Sequence, residues 1–145
     1  GDVGLDVSIA MIADSLGWDL DDTVVLQPKP VIANRTIETS YTTVKKGRVA
    51  GLKSTAYGVR DDEKVIELEF ISHAQVEEEY DLTEIKGLPD IKVKIEGGVH
   101  GDIGTTAIII NSIPRVMNAP IGLHTMKDLP IPSATPVELN QCVKS

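Results

Sequence analysis

The chain has 145 residues, 41% of them hydrophobic and 25% charged, and its 14 basic and 22 acidic side chains leave a net charge of −8. That length suits one domain able to bury about 68% of its unfolded surface, while the negative balance and an aromatic content of 3% argue against nucleic acid as a partner, since phosphates would be repelled and bases would find few rings to stack on. A lone Cys142 excludes an internal disulfide framework, no His/Cys cluster has zinc spacing, and no apolar run approaches the ~20 residues of a membrane span.

Leu5, Ile9, Ile12, Ala13 and Leu16 recur at helical spacing, so a helix is expected from about Gly4 to Leu16, stopped by Gly17. Gly1-Asp2-Val3-Gly4 is a flexible approach to its start, where free N–H groups can hold a carboxylate. It carries no basic stretch of the kind that opens a signal peptide, and together with the single thiol this points to the cytoplasm. Asp19 to Asp22 read as a polar turn and Thr23 to Leu26 as a strand; Pro28 and Pro30 then push the chain to a sheet edge or out of the sheet. Asn34-Arg35-Thr36 matches the N-glycosylation pattern and is read as chance. Ile37 to Val44 has the composition of a strand, followed by a basic tight turn at Lys45-Lys46-Gly47-Arg48.

Val49 to Val59 and Lys64 to Gln75 form the clearest hairpin, turning at Arg60-Asp61-Asp62-Glu63, with Ile66, Leu68 and Phe70 on one face and Glu67 and Glu69 on the other. Glu77-Glu78-Glu79 reads as a solvated loop, and Ile91 to Ile95 alternates strictly as a strand. Beyond Gly97 and Gly98, Ile108-Ile109-Ile110 favours a strand by propensity, whereas length and an N-capping Asp102 allow a helix from about Ile103 to Ile113, ending before Pro114. Asn118 to Ser145, rich in proline, should be mostly irregular. The sum is an α+β domain over 1–133, with a mixed, mostly antiparallel sheet and two helices on one of its faces, and an irregular tail over 134–145.

Chemistry-bearing residues are sparse. His73 and His124 lack partners nearby in sequence and read as structural, and no Gly-x-Ser-x-Gly elbow exists. The segment Gly97-Gly98-Val99-His100-Gly101-Asp102-Ile103-Gly104 contains neither G-x-G-x-x-G nor a P-loop. Its glycines allow close backbone approach, His100 can donate or accept, and Asp102 can cap a helix or meet an ammonium. Two readings stay open there: a tight strand-to-helix connection, or a site for a carboxylate or a polar small molecule. No residue stands out as catalytic, and no metal set is evident.

Three blocks are familiar together: Gly1-Asp2-Val3-Gly4-Leu5 running into Ser8 to Trp18, Gly97 to Asp102 running into Asn111 to Val116, and Ala119 to Leu123 running into Met126-Lys127-Asp128-Leu129-Pro130. Over nearly the whole chain up to about Ser133 they resemble the C-terminal part of the 2,4-diaminopentanoate dehydrogenases, a dihydrodipicolinate reductase-like family. The resemblance implies a dihydrodipicolinate reductase C-terminal-like fold and a substrate-binding, oligomerising domain cut from a longer enzyme. That enzyme would take a hydride from the amine-bearing carbon of a short diamino acid and release the hydrolysed imine as ketone and ammonia. NAD or NADP would bind to an N-terminal domain absent here, with no cofactor held by this chain. The implied substrate residues are Asp2, Gly4, Leu5, His100, Gly101, Asp102 and Thr105, with the Gly97-to-Thr105 segment and the Gly1-to-Ser8 loop near each other at the pocket mouth. A homo-oligomer, dimer or tetramer, would form through the free face of the sheet. The His-His and Lys-bearing motif of dihydrodipicolinate reductase has no counterpart here. A stand-alone, non-enzymatic module that binds a small ligand or dimerises is the competing reading.

Overall fold

The computed structural model describes residues 4–134, so Gly1, Asp2, Val3, Cys142 and the tail from residue 135 lie outside the described residues. The fold is α+β, with antiparallel sheets and two helices, in two compact units spanning 1–77 and 78–145.

In the first unit, helix α1 (Leu5–Leu16) closes at Gly17, whose left-handed φ of 67° lets its N–H return to Asp14 O and the Trp18 N–H to Ala13 O. One face of α1 buries Ile9 and Ala13 against a sheet built on the long strand β5 (Val49–Arg60). Strands β1 (Asp22–Val25) and β2 (Lys29–Ile32) pair antiparallel with successive halves of one edge of β5, and β6 (Glu63–His73) pairs along the other. Pro30 lies within β2 at the outer edge, where a missing N–H breaks no ladder. The core joins Ile9, Ala13, Ala56 and Ile66, with Leu5, Ile12, Trp18, Leu20, Val65 and Leu68 around it, so aliphatic side chains carry the packing. Gly58 makes room for α1: a Cβ there would lie 2.8 Å from Leu20 Cδ1 and 3.0 Å from Ile9 Cγ2. Trp18 packs on this core with the Arg60 guanidinium 5.8 Å from its ring centroid.

The β5–β6 turn places Asp61 and Asp62 at φ 53° and 62°, the pair of left-handed residues that a two-residue hairpin loop of matching twist requires. Residues Ile37 to Val44 form no single strand. They fold into a small hairpin of β3 (Ile37–Glu38) and β4 (Thr43–Val44), because Thr39 Oγ1 accepts the N–H groups of Tyr41 and Thr42 and offers the backbone a local alternative to extension.

In the second unit, β7 (Tyr80–Ile85) and β8 (Ile91–Glu96) form an antiparallel hairpin, followed by helix α2 (Gly101–Met117). One hairpin face carries Tyr80, Leu82 and Glu84 opposite Glu96, Lys94 and Lys92. There Lys92 pairs with Glu84 at 2.7 Å, and Lys94 pairs with both Glu78 and Glu96. Hydrogen bonds from these ammonium groups, then their charge, hold the carboxyls of Glu78 and Glu84 below the usual range, and the two carboxylates raise Lys94. Isoleucines 108–110 are helical, and α2 passes through Pro114 to Met117 instead of ending before it. Pro114 can donate no backbone bond, and the neighbouring side chains satisfy nearby carbonyls: Arg115 Nη1 donates to Asn111 O at 2.8 Å and Asn118 Nδ2 to Pro114 O at 2.7 Å.

From Asn118 to residue 134 the chain forms no helix or strand, as its prolines suggest, and a turn at Thr125–Asp128 is held by several bonds. Asp128 Oδ2 accepts both the N–H (2.7 Å) and the Oγ1–H (2.8 Å) of Thr125, and Asp128 N–H returns to Thr125 O. These donors, with the backbone bond first, keep the Asp128 carboxyl below its ordinary value. A depressed carboxyl supports the turn fully above its unfolded pKa, and that support is lost as pH falls through the folded one. A carboxyl NMR titration should therefore find Asp128 titrating below exposed aspartates, and Thr125→Val should move its midpoint upward. An unmoved midpoint would show that the hydroxyl contributes nothing.

Candidate functional site

The Gly97–Thr105 segment is a tied-down passage from strand to helix. Gly97 and Gly98 take φ of 78° and 63°, conformations costly for any residue with a Cβ, and reverse the chain after β8. Three bonds fix the passage: Gly97 N–H to Glu79 O (2.7 Å), Gly98 N–H to Ile95 O (3.1 Å) and Val99 N–H to Asp81 Oδ2 (2.8 Å). Asp81, unmarked in the sequence reading, is thus the side chain that anchors the loop. Its signal in the sequence is an aspartate on the strand face that Thr83 and Ile85 share with Ile91, Val93 and Ile95.

His100 occupies the N-cap of α2 without capping it: no side chain closes the first turn, and the first of the helical N–H bonds runs from Gly104 to His100 O at 2.8 Å. The expectation that Asp102 caps the helix is corrected here. Asp102 lies inside the first turn, one residue past Gly101, and a carboxylate there interacts with the helix dipole without taking the cap's place. Val99 folds back on this turn, so that a Cβ on Gly104 would lie 2.8 Å from Val99 Cγ1. The backbone donors at Gly101, Asp102 and Ile103 are the ones a helix start leaves without intrahelical partners. His100, Asp102 and Thr105 are exposed, and the imidazole stands beside these donors in sequence. The arrangement can receive a carboxylate on the helix start and an ammonium on Asp102.

The start of α1 is the second anticipated approach, and it belongs to the other unit. Gly4 is its N-cap with φ 65° and no side-chain cap bond, and both the N–H and Oγ–H of Ser8 reach Gly4 O at 3.2 Å. Leu5 packs against the core, so its side chain serves the scaffold and only its backbone remains for a ligand. Asp6, also in the first turn, keeps Oδ1 buried with no hydrogen-bond partner. Asp2 lies outside the described residues. His124 is structural, with Nε2 bonded to Pro120 O at 2.8 Å. Among the described residues no His, Cys, Asp and Glu gather as a metal set, and no helix is long and apolar enough to cross a membrane.

Comparison with known proteins supplies the context for this geometry. The family model described as the 2,4-diaminopentanoate dehydrogenase C-terminal domain matches residues 1–145. The chain is 37% identical over 138 residues to a 2,4-diaminopentanoate dehydrogenase of Acetoanaerobium sticklandii, covering 92% of this chain and 39% of that protein. It therefore spans about two fifths of the length of that relative. Among solved structures, an amine dehydrogenase from Mycobacterium smegmatis superposes with a TM-score of 0.70 at 23% identity, over 86% of this chain and 38% of the other. That likeness speaks for the fold.

Proposed function

Because the chain belongs to the 2,4-diaminopentanoate dehydrogenase C-terminal domain family, we propose that it is the substrate-binding and oligomerising part of an enzyme that oxidatively deaminates a short diamino acid such as 2,4-diaminopentanoate. The observation that carries this reading is the uncapped, glycine-built start of α2, with His100 at the N-cap and Asp102 in its first turn. A diamino acid presents one carboxylate and two ammonium groups. The carboxylate meets the free N–H groups and His100, Asp102 takes an ammonium, and Thr105 adds a hydroxyl one turn further on.

The oxidant in this reading is NAD or NADP held by a domain outside this chain. The described residues do not fit a nucleotide phosphate: the Gly97–Gly104 loop lacks a phosphate-binding spacing, and Asp102 puts negative charge into the turn that would cradle it. What this chain contributes is orientation of the amine-bearing carbon, through contacts at the far end of the substrate.

In the full-length enzyme, His100→Ala should lower kcat/KM by about tenfold to a hundredfold, the worth of one positioned polar contact. An unchanged melting curve should accompany it, since His100 makes no side-chain bond to the helix. Wild-type kinetics with a much lower melting temperature would make His100 part of the scaffold and sink the assignment.

Self-association is proposed through the sheet face turned away from α1. That face carries Thr55, Tyr57 and Ile71 among the Lys53–Glu69 pair (2.5 Å) and Lys64 over the Tyr57 ring, an apolar and polar mixture of the kind found in subunit contacts. Light scattering across a concentration series should find a dimer or tetramer. If the full-length enzyme is a monomer at every concentration, this part of the proposal fails.

A further inference from the structure

At one end of the sheet, β2 and β6 flank β5 in a row of Val31, Gly51 and His73. The chain leaves β2 through Asn34 and Arg35 and leaves β6 through Gln75 and Glu77, and these four residues with His73 line an open cavity of about 360 Å³. Gln75 braces the walls: its Oε1 accepts the Asn34 N–H at 3.3 Å and its Nε2 donates to Ile32 O at 3.2 Å, tying the two exits together. The Gln75 N–H donates to His73 Nδ1 at 3.3 Å, which leaves the ring proton on Nε2 as a donor.

The charges lining this cavity have opposite sign and do not meet. Neither Arg35 nor Glu77 makes an ion pair within 4.0 Å among the described residues. A simple anion here would face Glu77, and a simple cation would face Arg35. A neutral ligand would leave both groups as they are. A ligand bearing both charges satisfies the two at once, with the carboxylate on the Arg35 guanidinium and the His73 Nε2–H and the ammonium on Glu77. The volume lies at the lower end of small-molecule sites.

We infer that this cavity is a binding site for a free α-amino acid, distinct from the start of α2 and formed within the first unit alone. It uses none of the residues of the proposed substrate site. A second amino-acid site on such a domain would let the level of a free amino acid be sensed apart from turnover. Arg35 and Glu77 are exposed, so solvent weakens both ion pairs and the dissociation constant belongs at about 1 mM.

The test is a ¹H–¹⁵N titration of the full 145-residue chain with L-alanine, L-glutamate and L-ornithine, followed through the side-chain amides of Gln75 and Asn34 and the backbone signals of residues 33–35 and 73–77. At least one of the three should shift these signals saturably. Acetate and methylamine, each carrying one of the two charges, should bind at least about fivefold more weakly, and Arg35→Gln and Glu77→Gln should each weaken binding by about three- to tenfold without altering the melting temperature. His100→Ala should leave it untouched, which separates this site from the proposed substrate site. The inference is overturned if none of the three shifts these signals at about 50 mM, if acetate binds as well as the amino acids, if either charge variant binds like the parent, or if His100→Ala abolishes the effect.

Discussion

Gly51→Ala will cost the chain more than about 3 kcal/mol, the range in which single substitutions have a named backbone or core defect. Gly51 pairs with Val31 on one side and His73 on the other, in the middle of the three-strand row. A Cβ there would lie 2.0 Å from Ser72 O and 2.4 Å from both Cα and Cβ of His73. These are backbone atoms and the root of a side chain, so no rotamer change relieves the overlap; the β5–β6 ladder must part locally and its hydrogen bonds be given up. In thermal melts the midpoint should fall by at least about 10 °C. Gly87→Ala is the control, because its Cβ would meet nothing nearer than 3.7 Å. If Gly51→Ala melts with the parent, β5 and β6 do not approach this closely in solution.

Ile9→Ala should cost about 2–5 kcal/mol, for a different reason. Ile9 is the one large side chain of the described residues with no exposed surface, at the meeting of α1 with Ala56 and Ile66. Ala13, Ala56 and Gly58, which lie beside it, carry no side chain long enough to refill the space it leaves, so the loss includes a cavity. Met11→Ala on the same helix, 47% exposed, should cost under about 1 kcal/mol. Chemical denaturation of the two variants side by side checks this; equal losses would mean that α1 does not dock through Ile9.

Where the sequence was readable, one local signal agreed with the tertiary outcome. Helix α1 had both a stripe at helical spacing and a glycine stop, and the β5–β6 hairpin had partial alternation along Val65 to Ile71 and a polar turn whose two aspartates adopt positive φ. Elements were misread where local chemistry competed. Thr39 converts a strand-like stretch into a hairpin through its hydroxyl, which composition does not reveal. Strand β7 has only Tyr80, Thr83 and Ile85 as strong strand formers and follows an acidic run, so it became visible through its pairing with β8. Three isoleucines were helical against their strand propensity, which is a weak prior that the surrounding helix, running from Gly101 to Met117, overrides. At the candidate site, the glycines and His100 were legible from residue type. The role of Asp81 was not, because it depends on a contact 18 residues away in sequence.

The chain's one tryptophan, Trp18, stands at the joint of α1 with its sheet, under the Arg60 guanidinium. That makes it a spectroscopic reporter of a single unit. Fluorescence will follow the loosening of the first unit only, because Trp18 lies in it and the second unit has Tyr80 as its sole described aromatic residue. Circular dichroism at 222 nm, by contrast, sums α1 with the longer α2. Recorded together during one denaturant titration, the two signals give a direct reading of cooperativity: superimposed curves mean that both units melt as one, and a dichroism change that runs ahead of the fluorescence marks α2 as the first part to let go.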